Sequence, residues 1–215
     1  MVIGVPNKDN NGREVDLFTL QGKTWTADKK LAASDGESNE YFSWSVAIIR
    51  DTLLVGYYVK YYYWGRAPMC AVFSGDRSWD EGTKIIPING ITSGYSFGHA
   101  VGLSVERNII GSDGCYEKGY GGGAAYVFHR VNGVWQEESE LVPSDGESYD
   151  KFGKYVALSG DKYIIKSPYD DGMGSSSESI YVFVRQKNGT WEEVQKITPY
   201  MVRRMMCLDE VRSYP

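Results

Sequence analysis

Cysteine and histidine are scarce in this chain, at three and two of 215 residues. Cys70, Cys115 and Cys207 are widely spaced, odd in number and form no CxxC pair, so neither a zinc knuckle nor a disulfide framework is implied. That leaves the compartment open. No GxSxG, HExxH or paired Cys and His arrangement accompanies the histidines. No stretch approaches the roughly eighteen apolar residues of a membrane helix, and MVIGVPNKDN lacks the basic and apolar regions of a signal peptide. Membrane insertion is not expected. The net charge is -5 with Lys and Arg scattered, which leaves no electrostatic footprint for a phosphate backbone and excludes nucleic acid as an expected partner. Long helical patterns are missing too.

What is abundant points to strands. Aromatic residues make up 14% of the chain, with 17 Tyr, and Gly reaches 25. Aromatic side chains suit a pleated, half-buried surface, and Gly supplies the turns between strands. Asn188-Gly189-Thr190 has the form of a glycan acceptor, but Asn-Gly reads first as a hairpin turn.

A repeat organises the chain. SDGES occurs at 34 to 38 and again at 144 to 148. Phe42, Phe97 and Phe152 are spaced 55 and 55, as are Phe73, Phe128 and Phe183, and Val46, Val101 and Val156 keep the same step. Ile88-Asn89-Gly90 falls where a third, degenerate joint belongs. Such a period marks a unit that stacks on its neighbours. The last copy reads as four strands: FGKYVALS (152–159), KYIIKSP (162–168), SIYVFVR (179–185) and WEEVQKI (191–197). Trp25 and Leu31, Trp79 and Ile85, Trp135 and Leu141, and Trp191 and Ile197 are each six apart, and an even offset predicts one shared strand face.

Four antiparallel strands per unit is the pattern of a β-propeller blade, so the expected fold is all-β. Three blades are complete (34–88, 89–143, 144–197), one is partial (1–33), and an atypical tail follows (198–215). Two shapes fit this count: a compact four-bladed ring in which the tail supplies a strand, or an arc of a larger ring. An arc would expose blade edges and favour self-association.

The Phe-Gly pairs at 97 and 152, with Phe42-Ser43, resemble the FG of an FG-GAP repeat, the blade of the integrin alpha-chain propeller. Gly4-Val5-Pro6, Gly56-Tyr57-Tyr58, Gly111-Ser112-Asp113 and Lys166-Ser167-Pro168 stand where that repeat has its GAP. KLAASDGES and ELVPSDGES are similar to a branch found in tandem in secreted and surface proteins of microbes and protists. The resemblance covers residues 1 to about 197 and implies an extracellular or cell-surface binding or adhesion module, not an enzyme. An accessory propeller of a larger secreted enzyme, or a fragment without independent function, is the alternative. The resemblance also brings a DxDxDG calcium loop, which this chain does not carry. The connection reads only Ile49-Arg50-Asp51-Thr52, Val105-Glu106-Arg107-Asn108 or Ser159-Gly160-Asp161-Lys162, too short for the six to eight oxygens calcium takes.

No cofactor is therefore expected. Asn7, Asp9 and Asn11 alternate before Gly12 as in a calcium loop, without the downstream bidentate acid, and form the one weak metal candidate. His99 and His129 sit where sister copies carry Trp44 and Lys154, and Ser74 and Val184, a poor setting for a general base. Gly121-Gly122-Gly123 precedes a strand, so it lacks the helix N-terminus that binds phosphate. Asp35, Glu37, Asp145 and Glu147 are expected to shape the joints by local hydrogen bonds to backbone N–H groups. One loop is crowded with rings: Tyr57, Tyr58, Tyr61, Tyr62, Tyr63 and Trp64. They are read either as contacts for a protein or glycan ligand or as rings that pack against the next blade or fill the ring's centre.

Overall fold

A computed structural model of the chain describes residues 1–5, 14–32, 40–59, 70–74, 79–88, 94–171 and 178–199. Within them the backbone forms fifteen strands in four antiparallel sheets, the blades of a β-propeller. The first holds β1 (Val2–Val5), β2 (Glu14–Gln21) and β3 (Thr24–Ala32). The second holds β4 (Glu40–Ile49), β5 (Thr52–Val59), β6 (Cys70–Ser74) and β7 (Asp80–Ile85). The third holds β8 (Gly94–Leu103), β9 (Arg107–Cys115), β10 (Ala124–Val131) and β11 (Val134–Leu141). The fourth holds β12 (Tyr155–Ser159), β13 (Lys162–Ser167), β14 (Ser179–Arg185) and β15 (Trp191–Ile197). Strands follow chain order across each sheet, giving three four-stranded blades and three strands of another.

The blades stack because both faces of their middle strands are apolar. One cluster lies between the first and second blades, with Val15, Leu17 and Leu31 against Phe42, Val55 and Phe73. The next joins Leu54 and Val72 to Phe97, Ile110 and Phe128, and the last joins Ile109 and Val127 to Phe152, Ile165 and Phe183. In each, the first-strand Phe meets the third-strand Phe edge to face: Phe42 and Phe73 at 6.1 Å and 66°, Phe97 and Phe128 at 6.3 Å and 76°, Phe152 and Phe183 at 6.1 Å and 71°. That is the geometry aromatic quadrupoles favour. Blade 4 leaves its far flank more open: Ile164 is 47% exposed, whereas Ile109 and Leu54, one and two periods earlier, are fully buried.

The fourth strands correct the expectation from the sequence. Trp135 packs toward the second blade and Leu141 toward the fourth, on opposite faces in spite of their even spacing. A bulge is the cause. Val127 pairs with Ser139 but Phe128 with Glu137, so Glu138 is the extra residue. Equivalent shifts leave Asp28 extra in β3 and Val194 extra in β15, each three positions after its Trp. One inserted residue reverses the side of everything beyond it, so Trp135 and Trp191 face the preceding blade while Leu31 and Leu141 face the following one. The bulged Glu138 also ties two blades together, accepting from Arg107 Nε at 2.9 Å and Arg185 Nε at 2.7 Å.

The residue after each first-strand Phe is left-handed: Ser43, Gly98 and Gly153 have φ of 66°, 91° and 87°. This turn aims its carbonyl at the second strand of the preceding blade. A Cβ on Gly4 would collide with the Ser43 carbonyl oxygen, on Gly56 with that of Gly98, and on Gly111 with that of Gly153. The two glycine-bearing motifs of the repeat are thus two sides of one backbone contact. Lys166 occupies the corresponding place in the last blade and instead pairs with Glu178 at 2.9 Å. Gly111→Ala is expected to lower stability by about 2–3 kcal/mol, the cost of overpacking a rigid site, and Lys166→Gly by under about 1 kcal/mol. Urea midpoints of the two variants test the contrast.

Candidate ligand-binding face

The residues singled out in the sequence part company in the structure. Tyr57 is a core residue, 2% exposed, with its ring 4.8 Å from that of Phe42. It cannot meet a ligand from solvent, so its reading as a ligand contact is corrected to packing. Tyr58 continues β5 and pairs with Tyr41 in register. Tyr61, Tyr62, Tyr63 and Trp64 lie outside the described residues, as do Asn7, Asp9 and Asn11. His99 is half-buried beside Trp44, ring centroids 5.6 Å apart, and burial is the main cause holding its pKa below the ordinary value.

The same connection one blade later, from β9 to β10, builds an exposed aromatic face. Tyr116 and Tyr120 stack at 5.0 Å and 22°, and Tyr120 meets Tyr149 at 5.4 Å. Tyr120 and Tyr149 are 60% and 61% exposed. Tyr149 comes from the joint after SDGES and is fixed there by backbone bonds: Tyr149 N donates to the Tyr120 carbonyl at 2.9 Å, Lys151 N to Gly121 at 3.2 Å and Phe152 N to Gly122 at 2.8 Å. Gly121-Gly122-Gly123 permits this docking. A Cβ on Gly122 would press on the Glu147 carbonyl, and one on Gly123 would collide with the Phe152 backbone. The three glycines therefore receive the joint. Tyr149 and Lys151 adopt φ of 72° and 60°, a conformation that costs a bulky residue on the order of 1 kcal/mol and that collects at functional sites.

Polar contacts hold the joint from below. Ser144 N and Oγ donate to Glu193 at 2.8 and 2.9 Å, and the Ile88 N to Glu137 bond at 2.7 Å repeats this clamp one blade earlier. Asp145 corrects the expectation of local backbone bonding. It accepts from the Tyr181 hydroxyl at 2.8 Å and Lys196 Nζ at 2.8 Å, 36 and 51 residues away. Asp150 takes the local role, accepting from Glu147 N at 2.7 Å. Asp35 and Glu37 lie outside the described residues. The single Tyr181 hydroxyl proton is shared with Asp170, whose oxygen lies at 2.6 Å, and Lys196 pairs with the same carboxylate at 2.6 Å.

Electrostatics follow from this knot. Burial alone would raise the Asp145 carboxyl, but hydrogen bonds from Lys196 and Tyr181 outweigh it and hold its pKa below the usual Asp value. Burial opposes the charge on Lys196 as well, and the two carboxylates overcome it and raise its pKa. Asp145 therefore stabilises the fold above its unfolded pKa, and that contribution disappears as pH falls through the lower folded value. Lys196→Met leaves two carboxylates around one hydroxyl. It should lower stability at pH 7 and then regain part of it as pH falls toward about 4.5, where one carboxylate protonates. Wild type keeps the Asp145 contribution over that range, which lies above the unfolded Asp pKa of about 4. Urea midpoints at the two pH values distinguish them.

Comparison with known proteins agrees with this architecture. Residues 25–62 and 135–183 match the family described as FG-GAP repeat. The first segment begins at the first-blade Trp and ends beyond β5; the second runs from the third-blade Trp to Phe183. Both therefore span the joint and the Phe-centred contact between blades. No curated protein matches the chain. With its repeated joint, edge-to-face Phe pairs and backbone contact between blades, the chain carries FG-GAP repeats at residues 25–62 and 135–183.

Proposed function

We propose that this chain is a non-enzymatic binding module that takes a protein or glycan ligand on the face formed by Tyr116, Tyr120 and Tyr149. The observation that carries this reading is the exposure of Tyr120 and Tyr149, rings clamped by backbone bonds yet 60% and 61% accessible. Rigid, amphipathic rings give contact area at low entropic cost. Packing within the chain would have buried them, as it buries Tyr57. The left-handed backbone at Tyr149 and Lys151, of a kind that collects at functional sites, supports this reading.

Fold alone does not assign function, so the setting of the module is part of the proposal. FG-GAP repeats are typical of extracellular proteins, which supports a cell-surface or secreted role in adhesion. Among the described residues no helix is long and apolar enough to cross a membrane. Ile164 on the open flank of blade 4 adds a place where a further blade, or a second copy, would pack.

A fluorescently labelled chain screened on a glycan array and on intact cells tests the face. Tyr120→Ala and Tyr149→Ala should each weaken the binding found by about tenfold or more, as central aromatic contacts do, with urea midpoints near that of wild type. Binding that survives the double variant unchanged would place the ligand elsewhere.

A further inference from the structure

Beneath the aromatic face, Cys115 at the end of β9, Glu117 just after it and Glu140 on β11 bring one thiol sulfur and two carboxylate oxygens within 4.8 Å of one another. Cys115 is 1% exposed and its Sγ lies 3.5 Å from the hydroxyl of Tyr126, whose strand position pairs in register with Glu140. Oε1 of Glu140 is shielded from water and has no hydrogen-bond partner. A shielded carboxylate oxygen without a donor is costly unless something positive stands beside it.

The repeat shows what stands there in the sister blade. Tyr126 and Tyr181 are 55 apart, as are Cys115 and Asp170. Tyr126 pairs in register with Glu140, and Tyr181 with Lys196. The Asp170–Tyr181–Lys196 knot and the Cys115–Tyr126–Glu140 group therefore occupy the same positions of the repeat. In blade 4 a cation, Lys196 Nζ, sits among the acceptors at 2.6 and 2.8 Å. In blade 3 that lysine is replaced by Glu140, so the position that carries a positive charge in one blade carries a negative one in the other. We propose that a divalent zinc-class metal ion fills this place in blade 3, held by Cys115 Sγ, Glu117 and Glu140.

Donor chemistry selects the class. Calcium takes six to eight oxygens and has no use for sulfur. Zinc takes thiolate and carboxylate together, with three protein ligands and an open fourth position. Tetrahedral donors around zinc lie about 3.5 Å apart, so the three atoms need to close by roughly 1 Å. Glu117, on a connecting loop, and the Glu140 side chain, with three rotatable bonds, supply that adjustment by rotation. Binding ionises the thiol and releases its proton. The Tyr126 hydroxyl remains beside the sulfur, where it orients it.

The test adds cobalt(II), then zinc(II), to the purified chain. Cobalt should bind at one ion per chain and give a sulfur-to-metal charge-transfer band in the near ultraviolet that zinc displaces. Cys115→Ser should lose the band, and Glu140→Lys, which copies the arrangement of blade 4, should lose it while keeping the urea midpoint of the metal-free wild type. Zinc should raise the melting temperature of wild type and leave Glu140→Lys unchanged. A wild-type spectrum without the sulfur band at saturating cobalt, or a band that persists in Glu140→Lys, would overturn the proposal. Glu140→Lys decides the matter even if Cys115→Ser fails to fold.

Discussion

The carbonyl of the residue after each first-strand Phe sets the distance between blades. It projects from a left-handed backbone at Ser43, Gly98 and Gly153 into space left by Gly4, Gly56 and Gly111 on the blade before. No side chain can stand there. With the backbones held this close, Phe42, Phe97 and Phe152 have one place to go, and each turns its ring onto the third-strand Phe of its own blade. Hydrophobic burial supplies the driving force, but the backbone contact decides the spacing at which that burial happens.

Much of this was legible in the sequence because it is periodic. The step of 55 exposed the blades, the paired Phe positions and the Gly before each connection. The side of each fourth strand was not legible. An even spacing between Trp and Leu reads as one face, and the bulge at Asp28, Glu138 and Val194 leaves no compositional mark: the three residues share neither charge nor size. Long-range partners escaped for a similar reason. Asp145 looks like a turn residue from its neighbours, and only the folded chain brings Tyr181 and Lys196 to it.

The candidate face shows how ring count misleads. The loop with most aromatics attracted notice, yet its first ring, Tyr57, is buried against Phe42. The exposed face combines Tyr116 and Tyr120 from one segment with Tyr149 from another, about thirty residues on. A signal was present in retrospect. Three consecutive glycines beside Tyr120 mark a place where backbone meets backbone, and whatever docks there carries its neighbours along.

The glycine contact also orders the events of synthesis. Each of Gly4, Gly56 and Gly111 waits for a carbonyl that lies farther along the chain, by 39, 42 and 42 residues. A blade leaving the ribosome has its own hairpins but an unfinished flank until the following Phe and its left-handed neighbour emerge. Completion therefore passes from the N-terminus toward the C-terminus, with each new blade closing the one made before it and presenting the next open flank in turn.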